Sequence, residues 1–301
     1  MKRIRNISVV GMGAVGCAYG RKLYKLNPNN FKIIADDKRK EKLTKNGFLI
    51  NGEKYDFKCV SPNENLGKDD LIIIAVKYNQ LEEAIEEIRN YVGENTIILS
   101  FLNGIKSEEE IGKVYGMDKI LYSYCVLEST RKGSEVYVSD GYKIVFGQKE
   151  NDNKYEKIKA VRELFDDAEI DYEIPVDIIH SMWSKFMFNV GINPVSAILK
   201  ANYGMLQKNK YARETMVSAM MEVINISQKA SVNLKIEEIN HWLAVLDECE
   251  LHGKTSMCQD ILMGRKTEID MLSGEVCALG EKYGVDTPVN RTLFNMVKSI
   301  E

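Results

Sequence analysis

The sequence predicts an α/β protein whose first half is a doubly wound parallel sheet and whose second half is all α-helix. Three observations support this prediction. A short β-branched run, Ile4–Val10, leads directly into a glycine-rich turn and a helical pattern. Further apolar runs of strand length then alternate with helical segments as far as Pro175. Beyond Pro175 strand signals stop and helical periodicity continues, so we expect domains at residues 1–175 and 176–301.

The composition favours a globular protein that acts on small molecules. The chain has 301 residues, 45% of them hydrophobic, and a formal net charge of −3, which argues against a general nucleic-acid binder. No apolar run reaches the length needed to cross a membrane. Six scattered cysteines and three histidines show no metal-ligand spacing, and such cysteines are typical of reduced thiols. We therefore expect a cytoplasmic protein with no metal, no nucleic-acid partner and no membrane partner.

The glycine-rich turn is the first candidate site. Its residues are Gly11, Met12, Gly13, Ala14, Val15 and Gly16. This GxGxxG spacing between a strand and a helix indicates dinucleotide binding. Gly11 would permit the tight turn, Gly13 the approach of a pyrophosphate, and Gly16 the packing of helix on strand. The helix N-terminus would offer N–H groups to the phosphates, so the first domain is predicted to be of Rossmann type.

The end of the second predicted strand, Phe31–Ala35, leaves the choice of nucleotide open. Asp36 lies about 20 residues past Gly16, where a carboxylate would bind a ribose 2′-hydroxyl and favour NAD(H). The basic run that follows, 38–40, could instead pair with a 2′-phosphate, or could simply be solvated.

Two more strands in this half end in polar residues. Lys77 follows the apolar run Asp70–Val76, and Asn103 follows Thr96–Ser100. In an open α/β sheet, ligands bind at the carboxyl ends of the strands. Asn103 is either a turn former or an amide that points into the same cleft.

The remaining segments of the first half are also predicted. They are a hairpin at the sheet edge over 47–55, a helix over 81–92 with its charges outside, mixed strands over 120–125, 134–138 and 142–146, a helix over 155–165 and a strand over 171–174.

The second half contains an unusual helix, predicted over Asp177–Lys200 with a bend at Pro194. It is apolar on most sides, yet Lys185, Asn189 and Asn193 recur four residues apart and so form one stripe. A buried ammonium beside two amides needs a reason, because unpaired buried charge is costly. The stripe is either a site or a lysine that reaches solvent beside two ordinary asparagines.

Further helices are predicted over 211–230, 236–250, 256–263, 267–283 and 288–300. Ser256 begins one of them, and Glu268 lies in the first turn of another, where the helix dipole favours a carboxylate. Capping or a surface ion pair is the ordinary explanation for such residues, and Asp260 and Thr267 fit capping roles.

With these motifs identified, the chain resembles the ketopantoate reductase family (2-dehydropantoate 2-reductases) nearly from end to end. The resemblance rests on the segments 9–16, Val76-Lys77 with Gln80, Asn103-Gly104-Ile105, Trp183-x-Lys185-x3-Asn189-x3-Asn193-Pro194, Ser256-Met257-x-Gln259-Asp260, 264–270 and 284–290. It implies a Rossmann domain and a helical domain, with NADPH-dependent reduction of ketopantoate to (R)-pantoate for pantothenate and coenzyme A synthesis in the cleft between them.

The resemblance also implies roles for single residues. Lys185 is similar to the family's proton donor. Asn103, Asn189 and Asn193 are similar to the amides around cofactor and substrate, and Ser256 to the residue that binds the substrate carboxylate. Glu268 resembles the carboxylate that fixes hydroxyl groups of substrate or cofactor, and the resemblance makes it a catalytic residue together with Lys185. Lys77 and the glycine turn resemble the nucleotide contacts.

Two positions depart from the family pattern. Leu102 stands where glutamine is frequent, and Asp36 stands where many members have a basic residue that selects NADPH. The resemblance thus favours NADP(H), whereas Asp36 leaves NAD(H) open. The alternatives are a reductase of another 2-oxo acid, an opine-type dehydrogenase, and a nicotinamide-nucleotide sensor without turnover. A homodimer is also consistent with the family.

Overall fold

The computed structural model describes residues 3–127, 129–132, 135–139, 141–149 and 155–301, with backbone only for 129–132. The chain divides into two compact units, one ending at Ile178 and the other beginning at Ile179. Strands occur only in the first unit, as far as the described residues go. Within those same ranges, no helix is both long and apolar enough to cross a membrane.

The first unit contains all twelve strands described. In chain order they are β1 (Ile7–Val10), β2 (Phe31–Ile34), β3 (Phe48–Ile50), β4 (Glu53–Tyr55), β5 (Lys58–Val60), β6 (Leu71–Ile74), β7 (Ile97–Ser100), β8 (Ile120–Val126), β9 (Ser129–Lys132), β10 (Glu135–Val138), β11 (Lys143–Gly147) and β12 (Tyr172–Glu173). The main sheet has eight of them, in the order β12-β11-β8-β7-β6-β1-β2-β5.

The centre of this sheet is parallel, as the apolar runs predicted. Val10 pairs with Ile34 on one side and with Ile74 on the other, and Ile74 pairs with Ser100. The strands β1, β2, β6 and β7 are buried along their whole length, because helices cover both faces. The expected mixed direction is confirmed beyond β8, since β11 runs antiparallel to it and β12 parallel to β11.

The predicted hairpin is confirmed, but its place in the fold was not predicted correctly. β3 and β4 pair antiparallel, and Asn51 and Gly52 between them both have positive φ, 49° and 79°. This hairpin does not extend the main sheet. It joins a second, four-stranded sheet of order β4-β3-β10-β9, in which β3 pairs with β10. The run predicted to begin at Ser134 is described only from Glu135.

The helices of the first unit are α1 (Ala14–Leu26), α2 (Asp37–Asn46), α3 (Leu81–Glu87), α4 (Ser107–Tyr115) and α5 (Tyr155–Asp167). The prediction missed α2 and α4 and extended α3 too far. Helix α2 has no buried residue, so it lacks an apolar period. Asp36 instead caps it, accepting hydrogen bonds from the N–H groups of Lys38 and Arg39. The charges of α3 are not all external, because Glu87 is buried.

The second unit is helical throughout. Its elements are α6 (Ile178–Leu199), α7 (Tyr203–Lys208), α8 (Lys210–Lys229), α9 (Ile236–Glu248), α10 (Ser256–Leu262), α11 (Ser273–Tyr283) and α12 (Pro288–Ile300). The prediction of a helix that begins at Thr267 was wrong, because a 3₁₀ turn, Ile269–Met271, precedes α11. Thr267 and the C-terminal Glu301 explain this, since both the N–H and the hydroxyl of Thr267 donate to the Glu301 carboxylate.

Candidate active site

The glycine turn connects the end of β1 to α1. Gly11 has φ +92°, which a side chain would strain, and a Cβ there would meet the carbonyl oxygen of Ala75 at 2.5 Å. A Cβ on Gly16 would collide with the carbonyl oxygen of Gly11. These two glycines are therefore required by the close packing of the turn against β6 and α1, as the motif predicted.

Gly13 differs from its two neighbours in the motif. A Cβ built on it meets no atom of the described residues within 4 Å, so none of them explains why a glycine stands there. Gly13 is also the N-cap of α1 and, having no side chain, gives that helix end no capping hydrogen bond. The N–H groups of the first turn of α1 thus adjoin open space, which is what a bound pyrophosphate needs. The turn fits a dinucleotide.

Other polar residues follow the neighbouring parallel strands. Lys77 lies three residues after β6, next to a short 3₁₀ turn, and Asn103 lies three residues after β7. Both are half-buried. Because β1, β6 and β7 are adjacent and parallel, their carboxyl ends meet at the same edge of the sheet as the glycine turn. Asp36 follows β2 at this edge and binds Arg39, with Nε–Oδ2 at 3.2 Å.

A buried polar network supports the segment that contains Asn103. Glu108, in the first turn of α4, is 1% exposed and accepts hydrogen bonds from the Ser107 hydroxyl at 2.9 Å and the Ser123 N–H at 3.4 Å. The Ser107 hydroxyl also contacts that of Ser100, at the end of β7, at 2.7 Å. Burial raises the pKa of Glu108 to about 7.

In the second unit, Lys185 packs against two aromatic rings. Its ammonium nitrogen lies 5.3 Å from the ring centroid of Phe188 and 5.3 Å from that of Trp242. The two rings stack with centroids 4.7 Å apart and an interplanar angle of 13°. The indole N–H of Trp242 donates to the Ser184 hydroxyl at 2.9 Å, so the ring that contacts the ammonium is itself fixed. Ring faces attract a cation electrostatically.

The two asparagines of the stripe are buried, at 6% exposed for Asn189 and 5% for Asn193, whereas Lys185 is half-buried. The helix α6 continues through Pro194 without a break. The spacing of four residues therefore places one ammonium and two carboxamides on one side of a continuous helix, as predicted.

The other two predicted residues lie elsewhere in this unit. Ser256 is the first residue of α10 and is exposed, while the cap itself is the neighbouring Thr255, whose hydroxyl accepts from the Cys258 N–H. Glu268 is half-buried and precedes the 3₁₀ turn, so it does not lie in the first turn of an α-helix as expected. Asp260 lies within α10 and not at its cap, so the expected capping role was wrong; its buried carboxylate instead pairs with Arg265 at 2.9 Å.

Comparison with protein families gives two matches that together span most of the chain. The family model described as ketopantoate reductase PanE/ApbA matches residues 7–151, and that of the ketopantoate reductase C-terminal domain matches 177–301. This chain belongs to the ketopantoate reductase family. The resemblance noted from the motifs is thereby confirmed.

Individual proteins show how far the similarity extends. The chain is 30% identical to a 2-dehydropantoate 2-reductase of Aquifex aeolicus strain VF5 over 238 residues, 77% of this chain and 76% of that protein. It is 27% identical to a 2-dehydropantoate 2-reductase of Pyrococcus horikoshii over 98% of this chain and 97% of that protein. Among solved structures, a D-mandelate dehydrogenase with NADH and anilino(oxo)acetate has a TM-score of 0.90 at 24% identity, covering 98% of this chain and 97% of the other. That likeness establishes the fold.

The sequence did not identify three residues that contact predicted site residues or their neighbours. Trp242 reaches Lys185 from α9, far along the chain. Glu83 and Glu87 reach Arg39 from α3. The spacing of Glu83 and Glu87, four residues apart on α3, was the available signal, but it is equally typical of a solvated face.

Proposed function

We propose that the protein reduces the ketone of a 2-oxo acid to a 2-hydroxy acid with a reduced nicotinamide nucleotide, and that its substrate is ketopantoate. The single observation that supports this most is the position of the Lys185 ammonium against Phe188 and Trp242, on the same stripe as two buried carboxamides. Membership of the ketopantoate reductase family supports the reaction type.

The nucleotide would be held by the first unit. The N-terminus of α1 and the open space at Gly13 suit the pyrophosphate, and Lys77 and Asn103 lie at the adjoining strand ends. The bound nucleotide supplies a hydride to the ketone carbon. The protein supplies binding, orientation and electrostatics.

Lys185 would act on the ketone oxygen. As hydride arrives at the carbon, negative charge develops on that oxygen, and a fixed ammonium stabilises it. An alkoxide is a far stronger base than an amine, so the ammonium then gives its proton to the oxygen and the hydroxy acid is complete. The rings of Phe188 and Trp242 suit this role, because they hold a cation in place without neutralising it.

The amides and the remaining polar residues would position the substrate. Asn189 and Asn193 can orient the ammonium and bind the substrate by donating or accepting hydrogen bonds. The exposed Ser256 hydroxyl would bind the substrate carboxylate end, and Glu268 would bind a hydroxyl of the substrate or of the nucleotide. These roles follow the family resemblance and are part of the proposal, as are a substrate-binding role for the helical unit and a homodimer.

A steady-state assay tests the proposal directly. The purified protein is mixed with NADH or NADPH and with ketopantoate, 2-oxoisovalerate or an aryl-substituted 2-oxo acid, and absorbance at the dihydronicotinamide band is followed. Ketopantoate should give the highest kcat/KM. A higher value with another 2-oxo acid would keep the reaction type but replace the substrate. Tight nucleotide binding without oxidation by any acid in the panel would leave the sensor alternative instead.

A further inference from the structure

The guanidinium of Arg39 is surrounded by three carboxylates from two helices. Its Nε lies 3.2 Å from Asp36 Oδ2, its Nη2 donates to Glu83 Oε2 at 3.1 Å, and its Nη1 lies 4.0 Å from Glu87 Oε1. One oxygen of each acid lies within 4.8 Å of the others. If all are ionised, the group has three negative charges and one positive charge, so Arg39 does not neutralise it.

Glu87 separates this group from an ordinary exposed ion pair. The residue is only 6% exposed, and burial raises its carboxyl pKa. Its Oε1 accepts the backbone N–H of Asp36 at 3.2 Å, while no residue in the described ranges gives Oε2 a hydrogen bond. A buried acceptor without a partner is costly. The Glu87 carboxylate is buried beside Asp36, just after β2, and this suggests that a hydrogen-bond donor from a bound ligand satisfies its Oε2 atom.

The place of the group in the fold indicates what that donor is. Asp36 follows β2, which is the parallel neighbour of β1, and β1 ends in the glycine turn. In a doubly wound sheet, the adenosine ribose of a dinucleotide lies at this point. A ribose 2′-hydroxyl is a donor, whereas a 2′-phosphate is an anion that only accepts when fully ionised.

Two of the three basic residues that could have bound a phosphate are already paired with carboxylates. Arg39 is held by the three acids. Lys40 pairs with Glu64 at 2.5 Å. Lys38 is exposed, and its backbone N–H donates to the Asp36 carboxylate, so the acid and not the lysine side chain organises this turn.

We propose that Asp36, Glu83 and Glu87 act together as a selectivity site that accepts a ribose 2′-hydroxyl and rejects a 2′-phosphate, so that the nucleotide is NADH. Glu83 and Glu87 retain the Arg39 guanidinium and add negative charge of their own. A 2′-phosphate would have to displace the acids from Arg39 and approach them closely, which Coulomb repulsion opposes. The proposal rests on the nicotinamide site of the proposed function and deepens it.

Direct binding tests this selectivity without any 2-oxo acid. The fluorescence of bound NADH and NADPH is titrated against the wild-type chain and against Glu83→Gln, which should fold because Glu83 is exposed. The wild type should bind NADH at least about tenfold more tightly than NADPH, equivalent to one hydrogen bond or charge contact. Glu83→Gln should raise NADPH affinity about tenfold and change NADH affinity less than about twofold. Adding Arg39→Ala to Glu83→Gln should abolish the gain.

Glu82→Gln is the matched control. Glu82 is exposed on the same helix and loses the same charge, but no contact with Arg39 joins it to the three acids. Its NADPH affinity should stay close to that of the wild type, which separates a local contact from long-range charge. Glu87→Gln, if it folds, should raise NADPH affinity as Glu83→Gln does. It should also remove the part of the pH dependence of NADPH binding that comes from the Glu87 carboxyl group.

Four results would overturn the inference. Tighter binding of NADPH than of NADH by the wild type is the first, and equal gains from Glu82→Gln and Glu83→Gln are the second. The third is calorimetric binding of Mg²⁺ or Ca²⁺ that Glu87→Gln abolishes, because the acids would then form a cation site. The fourth is that neither nucleotide binds, and in that case the proposed function fails together with this inference. If NADH binds but no 2-oxo acid is reduced, the proposed function fails alone.

Discussion

The ammonium of Lys185 lies 5.3 Å from the ring centroid of Trp242, although α6 supplies the lysine and α9 the tryptophan. The same nitrogen lies 5.3 Å from the Phe188 ring, one helical turn along α6. Because the Trp242 indole is tied to Ser184 and stacked on Phe188, the lysine contacts a rigid surface. Fixing a long, flexible side chain in advance reduces the entropy that must be lost in the transition state.

Replacing Lys185 should remove most of the turnover. Lys185→Ala is expected to lower kcat by about 10²–10⁴, the range for loss of a general acid, with little change in nucleotide Kd. Stopped-flow or steady-state rates with ketopantoate measure kcat, and fluorescence titration measures the nucleotide Kd. Lys229→Ala, at an exposed helix end, serves as the control. Near-normal turnover of Lys185→Ala would exclude the lysine from the mechanism.

Trp242 should act through Lys185 as a positioning residue. Trp242→Leu removes the ring face and is expected to lower kcat about fivefold, since a cation–π contact is worth about 1 kcal/mol. The nucleotide Kd should not change. Trp242→Phe keeps a ring and loses the hydrogen bond to Ser184, so it should recover most of the rate. Equal losses in the two variants, or loss of nucleotide binding in either, would point to a purely structural role.

The glycines of the turn should separate folding from binding. Gly13→Ala places its methyl group in open space, so its Tm should stay near that of the wild type while nucleotide affinity falls at least about tenfold. Gly11→Ala should destabilise the protein by about 1–3 kcal/mol, since its φ of +92° and the nearby Ala75 carbonyl oppose a side chain. Thermal melts and nucleotide titrations measure both. An unaltered nucleotide Kd in Gly13→Ala would mean that the open space is not the pyrophosphate site.

Glu108 should make stability fall as the pH rises. Its pKa is raised to about 7 in the folded chain, against an ordinary value of 4.5 for a glutamate in water. Between those two values the unfolded state has released the proton that the folded state retains, so the free energy of unfolding decreases with increasing pH. Above about pH 7 the loss is complete, and it amounts to as much as about 3 kcal/mol.

Urea unfolding of Glu108→Gln between pH 5 and 8 measures this effect. The amide stays neutral and can still accept from the Ser123 N–H, so the free energy of unfolding of the variant should not decrease in this way. Its stability relative to the wild type should therefore increase as the pH rises. Glu109→Gln, the exposed neighbour, should follow the wild-type curve. Parallel curves for Glu108→Gln and the wild type would show that Glu108 is ionised at neutral pH.

The elements with an apolar period were those that could be predicted from the residues. β1, β6 and the long helix α6 were found within a few residues of their ends, because burial on a strand or helix face leaves a repeating pattern. Helix α2 was missed since a cap at Asp36 and not burial defines it. The helix expected from Thr267 was broken by Glu301, a residue whose proximity no local pattern reveals.

What the sequence alone determined was the local chemistry: a glycine turn between strand and helix, an ammonium and two amides at intervals of four residues, and the family to which these motifs belong. Only the tertiary structure decided that Glu87 is buried, that Arg39 is held by three acids and that Trp242 contacts Lys185. The physical reason is range. Helix and strand periods arise between near neighbours in the chain, whereas desolvation and charge pairing depend on which distant segments pack together.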